Sequence, residues 1–301
     1  MSERGQIRIG MAGWRYDEWR GSFYPEKLAQ KRELEYASRQ LNSLELNGTF
    51  YSLQRPKSYA QWIKETPDDF VFSVKGTQFI THVRRLENVT TPLANFLAQG
   101  LLQLGRKLGP ILWQFPPAFK FNPQLLQDFF DLLPRTHKQA AAYARQRDDW
   151  MADRSWLEVE EDLPLRHAIE TRNKSFAVLE YISLLRKNQI AVVVADSVKW
   201  PRMMDITADF VYCRLHGSEE IYPNGYDADG IDSWARRVLA WSRGDEVTDG
   251  MRVHPEAGPK HASRDVFVYF DDDVKVRAPH DALSLTRRIA ELTGTSKENS
   301  G

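Results

Sequence analysis

A single cysteine, Cys213, stands among 301 residues, which excludes disulfide frameworks and cysteine-ligated zinc or iron–sulfur centres. Any metal would have to be held by histidine and carboxylates. Long apolar runs are missing as well: the longest clean one, Ile190 to Ala195, is far short of the ~18 residues that span a bilayer. The opening residues carry no apolar signal core, so the expectation is a cytoplasmic protein with no membrane partner. Nor is there an excess of charge of either sign, since 41 Lys and Arg face 41 Asp and Glu. That balance argues against a surface built wholly for polyanions, while leaving room for a local basic groove at Lys75, His82, Arg84 and Arg85. Neither a Walker A loop nor a dinucleotide fingerprint occurs, so no nucleotide cofactor is expected.

What is present is alternation. Eight short β-type runs recur: Ile7 to Ala12, Ser43 to Asn47, Phe70 to Lys75, Ile111 to Phe115, His167 to Thr171, Ile190 to Ala195, Phe210 to Leu215 and Val266 to Phe270. Between them Pro25, Pro56, Pro92 and Pro123 mark helix starts, and Ser175 offers a cap. Apolar residues spaced by three and four, Leu93 to Leu108, Leu179 to Leu185 and Trp234 to Trp241, predict helix faces that cover a sheet. Eight β/α units without a long linker predict an α/β fold, a single (β/α)8 barrel over 1–301 with its core at about 7–293; an open doubly wound sheet is the other fold considered. Two stretches exceed the repeat. The first, 136–165, is expected to be an extra helix with a loop, and the second, 244–264, a flexible surface insertion; 295–301 reads as a disordered tail.

Side chains alternate across a strand, so polar residues sharing one phase near its C-terminal end point into the mouth of a barrel. On this pattern Glu45 and Asn47 turn inward from the second strand, Ser73 and Lys75 from the third, Gln114 from the fourth, and Glu170 and Arg172 from the fifth. The sixth strand ends in Asp196, the seventh gives Tyr212, Arg214 and His216 on one phase, and the eighth runs into Asp271, Asp272 and Asp273, of which Asp271 is favoured. Cys213 falls on the opposite phase and reads as core packing. Glu45, Glu170, Asp196 and Asp271 nearly balance Lys75, Arg172 and Arg214, so any one pair could be structural. Their convergence at one end of a barrel is nevertheless where active sites of this fold lie.

Several ordered strings carry a resemblance: Ile9-Gly10-Met11-Ala12-Gly13-Trp14; Glu45-Leu46-Asn47-Gly48-Thr49-Phe50-Tyr51; Phe72-Ser73-Val74-Lys75 followed by Ile80-Thr81-His82; Gln114-Phe115-Pro116-Pro117; His167-Ala168-Ile169-Glu170; Ala195-Asp196; Arg214-Leu215-His216-Gly217; and Tyr269-Phe270 before the aspartates. From about Ile7 to the last helix the chain resembles the YecE-like family, domain of unknown function 72. The resemblance implies a TIM-type barrel with a pocket at its C-terminal mouth and brings no assigned reaction. The chain departs from the commoner family pattern at Asp271 and Asp272, where asparagine is frequent.

Three chemistries compete. In the first, no cofactor is needed: Lys75, Arg172 and Arg214 hold a small anionic substrate, phosphorylated or sugar-containing, while Glu45 or Glu170, Asp196 and His216 serve as acids and bases. Trp14, Asn47, Tyr51, His82, Gln114 and Asp271 complete the binding set. In the second, Glu170, Asp196, His216 and Asp271 ligate a divalent metal, by similarity of strand position to metal-dependent sugar isomerases and endonuclease IV-type barrels; the neighbouring Lys75, Arg172 and Arg214 oppose it. In the third, Lys75, His82, Arg84 and Arg85 with Trp14, Tyr16, Phe50, Tyr51 and Phe79 bind nucleic acid, with an endonuclease IV-like phosphodiesterase as the enzymatic form. The loop after Gly217, through Tyr222, Gly225, Tyr226 and Gly230, has the turn residues of a lid.

Overall fold

The computed structural model describes residues 4–217, 225–271 and 276–295. Asp272, Asp273, most of the expected lid and residues 296–301 of the expected tail lie outside them. Eight strands appear where alternation predicts them: β1 Ile7–Met11, β2 Ser43–Leu46, β3 Val71–Lys75, β4 Leu108–Gln114, β5 His167–Glu170, β6 Ala191–Asp196, β7 Phe210–Leu215 and β8 Asp265–Phe270. Each pairs in parallel with the next from β2 to β8, and β8 pairs with β1. The sheet is a nearly closed barrel, not the open alternative.

The remaining seam, between β1 and β2, is joined mostly by side chains. Asn42 takes the place of a ladder residue: its Oδ1 accepts the Ile9 N–H at 2.8 Å and its Nδ2 donates to the Ile7 carbonyl at 2.9 Å. Above it the Gly13 N–H donates to the Glu45 carbonyl at 2.9 Å. Gly10 permits this approach, because a Cβ there would lie 2.1 Å from the Ser43 carbonyl oxygen.

The barrel interior is filled in layers, as alternation requires. Val71, Phe210 and Phe267 occupy the lower part, with Tyr212 and Tyr269 above them, and Ala168, Ala191 and Ala195 supply the small partners that make room for these rings. The Tyr269 hydroxyl pairs with the hydroxyls of Ser43 and Ser73, both at 2.7 Å, which satisfies its polarity inside the barrel. On the outer face Phe72, Trp113 and Cys213 pack toward the helices. Trp113 meets Phe96 and Phe129 at 5.4 and 5.3 Å between ring centroids. Burying each such side chain contributes roughly 1.5–3 kcal/mol.

Helices α1 Glu33–Gln40, α2 Gly48–Tyr51, α3 Pro56–Glu65, α4 Thr90–Ala98, α5 Pro123–Leu132, α6 His137–Ala144, α7 Leu179–Lys187, α8 Ala228–Ser242 and α9 Ala278–Thr293 cover the sheet. Pro56 and Pro123 begin their helices as expected, and Asn122 caps α5 by accepting the Leu125 N–H at 3.1 Å. Pro25 does not: it lies in a turn, and the helix begins only at Glu33. Ser175 does not cap α7 either, because its hydroxyl accepts the Phe121 N–H and Val178 takes the cap position. The Leu93 to Leu108 stripe is split at Gly100, whose φ of 118° ends the helix, so Leu101 and Leu104 lie on a 3-10 segment.

Within 136–165, α6 buries Ala140, Ala141 and Ala144, and the segment returns through a bridge between Thr136 and Pro164. Within 244–264 there is neither helix nor strand; the buried Asp205 carboxylate holds it by accepting the N–H groups of Val253 and His254 at 2.9 and 2.8 Å. No helix among the described residues is long and apolar enough to cross a membrane.

Candidate active site at the barrel mouth

The C-terminal ends of β2, β5, β7 and β8 bring three carboxylates onto one guanidinium. Arg214, fully buried, donates to both oxygens of Glu45 at 3.1 and 3.0 Å, to Glu170 at 2.7 Å and to Asp271 at 2.7 Å. The Tyr212 hydroxyl donates to Glu45 at 2.7 Å. Glu170 is also bound by Arg172 at 2.7 Å, whose guanidinium lies 4.3 Å from the ring centroid of Trp200. Burial would push the Glu170 carboxyl up, but Arg214 and Arg172, with His216 and Lys75, hold it well below the usual carboxylate range. Burial acts against ionisation of Asp271 as well, and Arg214, His216 and Lys75 outweigh it. These carboxylates are therefore anionic anchors and poor proton acceptors. Both oxygens of Glu45 are engaged, Oε2 by Tyr212 and Arg214 and Oε1 by Arg214.

His216 sits between two of the anchors, with Nε2 3.9 Å from Glu170 and Nδ1 3.6 Å from Asp271, and its ring meets Trp200 edge-on at 5.3 Å. Burial, reinforced by Arg214 and Arg172, lowers its pKa in spite of the two carboxylates, so the imidazole is neutral near pH 7. Among the described residues its buried Nε2 has no hydrogen-bond partner. Two further buried acceptors share that condition, Asn47 Oδ1 and Gln114 Oε1.

Lys75 ends β3 on the inward phase. Phe50 lies beneath its ammonium, 4.4 Å from Nζ to the ring centroid, and His82 meets the same ring at 5.1 Å. Among the described residues no carboxylate forms an ion pair with Lys75. Burial first, then Arg214, pushes its pKa down to about 8, against the pull of Glu45, Asp271 and Glu170. His82 is lowered by burial and by its neighbours Lys75 and Arg172. It rides on a π-helical turn, Phe79–Val83, with its Nδ1 2.8 Å from the Thr81 hydroxyl.

Asp196 does not join this cluster. On β6 the inward phase is Ala191, Val193 and Ala195, so Asp196 takes the other phase, where it accepts from Arg202 and from the Tyr226 hydroxyl, both at 2.8 Å. The divalent-cation set Glu170, Asp196, His216 and Asp271 consequently does not assemble. The place between Glu170 and Asp271 belongs to the Arg214 guanidinium, and among the described residues no three His, Cys, Asp or Glu side chains are placed to hold a metal ion. These four residues, as placed, do not fit a divalent metal.

Trp14 and Tyr51 stand apart from the ionic cluster. Tyr51 is 72% exposed on the rim, whereas Trp14 is buried against Trp62 and lines a cavity of about 680 Å³ with Tyr16, Asn47 and Lys57. Asn47 connects that cavity to the mouth. Tyr16, named above only as a stacking aromatic, stands beside the mouth: its hydroxyl donates to the Ala12 carbonyl at 2.8 Å and its phenol is hydrogen-bonded to the Asn47 side chain. Burial, with Asp271 and Glu45 nearby, pushes Tyr16 up to about 12. Trp200 is a site residue that the sequence does not reveal, because it lies in a loop outside any periodic pattern.

Over residues 8–300 the chain matches the family described as Protein of unknown function DUF72. It is 33% identical over 118 residues to the UPF0759 protein YunF of Bacillus subtilis, covering 38% of this chain and 41% of that one. To the UPF0759 protein YecE of Escherichia coli K12 it is 32% identical over 137 residues, 40% of this chain and 48% of that one. The matched segments thus span less than half of each curated relative. Among solved structures it is similar to a DUF72 family protein from Thermotoga maritima, with a TM-score of 0.65, 23% identity and coverage of 94% and 98%. A DUF72 family protein from Enterococcus faecalis gives 0.63, 18%, 98% and 100%. At these identities the likeness concerns the fold.

Proposed function

We propose, on the premise that the chain belongs to the DUF72 family, that it is an enzyme binding a small anionic, hydroxyl-bearing molecule such as a sugar phosphate or sugar acid at the barrel mouth. The observation that carries this reading is the collection of unspent polar groups at one rim: Lys75 without a paired carboxylate, and Asn47 Oδ1, Gln114 Oε1 and His216 Nε2 without protein donors. A buried polar atom left unmade costs about 1–3 kcal/mol. A ligand that supplies one anionic group and several hydroxyls would satisfy all four. Lys75 and Arg172 form the cationic side that receives the anion, with the His82 imidazole beside them.

In this reading His216 is the proton acceptor, since it is neutral and its Nε2 is free, and Glu170 and Asp271 flank it to stabilise the imidazolium that forms. Arg214 holds the carboxylates in place and does not itself contact the anion. The test is a thermal-shift panel of sugar phosphates and sugar acids at low salt. Stabilisation of the native chain that is lost in Lys75→Met, with turnover of the bound compound lost in His216→Gln, is the expected result. Equal stabilisation of native and Lys75→Met protein would overturn the assignment.

One observation favours nucleic acid as a second reading: Tyr51 and Phe79 are 72% and 44% exposed at the rim, and Arg84 lies 5.5 Å from the Phe79 ring. Bases stack on such rings. Salt-sensitive binding of single-stranded DNA or RNA, lost on neutralising Arg84 and Arg85, would support it; no binding at low salt would remove it.

A further inference from the structure

The three mouth carboxylates are all committed to Arg214, and Arg172 takes a further oxygen of Glu170. Lys75 is left as a buried amine over the face of Phe50, under the influence of the Arg214 guanidinium, at the same barrel mouth as the unpartnered imidazole nitrogen of His216. An amine that only gripped an anion would need no such surroundings, and an exposed lysine would do. Desolvation beside a second cation is what converts a lysine into a nucleophile, because both penalise the ammonium and leave the lone pair available.

We propose that Lys75 is the nucleophile of this site and forms an imine with the carbonyl carbon of a small anionic aldehyde or ketone. This rests on the anion-binding reading above and goes beyond it by naming the reacting atom and the functional group of the substrate. Nζ, having released a proton to His216 or solvent, attacks the carbonyl carbon; a C–N bond forms and the C=O π pair moves to oxygen. The carbinolamine then loses that oxygen as water as the nitrogen lone pair closes the C=N bond. Ammonium and carbonyl together become protonated imine plus one water, so no oxidant, reductant or metal is required. His216 can return the proton to the departing hydroxyl. The charged groups that set the availability of the lone pair are Arg214 on β7, Glu45 on β2, Glu170 on β5 and Asp271 just after β8; the titratable His82, on the turn after β3, also faces it. Burial and Arg214 bring the amine to about 8, so a useful fraction is neutral near physiological pH.

The test uses the intact chain with glyoxylate and, separately, dihydroxyacetone phosphate, in the presence of cyanoborohydride, followed by peptide mapping. The expected result with at least one probe is a reduced adduct on Lys75 formed at least tenfold faster than on the exposed Lys27 and Lys120, half-maximal near pH 8 and slowed by inorganic phosphate. Lys75→Arg should keep phosphate binding, read as thermal stabilisation, and lose the fast adduct. Labelling of Lys75 no faster than of Lys27 and Lys120 by both probes overturns the imine. If phosphate still stabilises the native chain in that case, the anion-binding reading survives it; if phosphate does not, both fall.

Discussion

Replacing Arg214 by methionine removes one side chain and orphans three. The native guanidinium makes four hydrogen bonds to Glu45, Glu170 and Asp271, and the first two carboxylates are fully buried. Removing one partner from a buried ion pair costs about 3–5 kcal/mol, because the remaining charge stays in a poor dielectric. Total stabilities are about 5–15 kcal/mol, so Arg214→Met should lose a large share of its stability at pH 7. The pH dependence should also change. In the native chain Glu170 and Asp271 have depressed folded pKa values, so their contribution is present above the unfolded value of about 4 and is lost as pH falls through the depressed values. In the variant Arg172 still binds Glu170 and Lys75 still favours both carboxylates, but Arg214, the largest influence opposing burial, is gone; the folded values rise, and the stability they contribute at high pH shrinks. Urea unfolding at pH 7 and pH 5, followed by tryptophan fluorescence, measures both effects. From pH 5 to pH 7 Arg214→Met should gain less, or lose more, stability than the native chain. A variant within about 1 kcal/mol of the native chain at pH 7, or one with the native pH slope, would refute the view that Arg214 compensates these carboxylates.

His167 is buried between the Trp113 indole N–H, which it accepts at 3.1 Å, and the Pro134 carbonyl at 2.8 Å, and burial pushes its pKa down to about 3. Its contribution is complete above the unfolded value of about 6.5 and is lost as pH falls toward 3, so His167→Gln should flatten the stability profile between pH 6 and 4 in urea titrations. Gly10→Ala would drive a Cβ into the Ser43 carbonyl and open the β1–β2 seam; a loss of roughly 3 kcal/mol or more is expected, with overpacking as the cause. Asn42→Ala removes both side-chain bonds across the same seam and should cost about 1–3 kcal/mol by denaturant titration.

Much of the mouth was legible because β-strands carry a phase. In β2, β3 and β7 bulky apolar residues mark one face, so Glu45, Lys75 and Arg214 could be placed inward by counting from Leu44, Phe72 and Cys213. β6 has no such marker: Ala, Val and Val fill both faces, and Asp196 was assigned by its place at the strand end, where its phase in fact turns it toward Tyr226 and Arg202. Pairing was less legible than placement. Composition shows a near balance of charges but not that one guanidinium would take all three carboxylates and leave Lys75 without one. Tyr16 and Trp200 come from connecting loops, whose course is set by packing against Asn47 and Arg172 and leaves no periodic trace.

The most direct measurement is the response of the two mouth imidazoles to an anion. With 15N-labelled histidine, titration of the native chain with inorganic phosphate and a sugar phosphate should shift the ring resonances of His82 and His216 together and saturably, and Lys75→Met should abolish both shifts. Saturable binding that leaves both rings unmoved, or shifts that persist unchanged in Lys75→Met, would contradict an anion site at the mouth of this barrel.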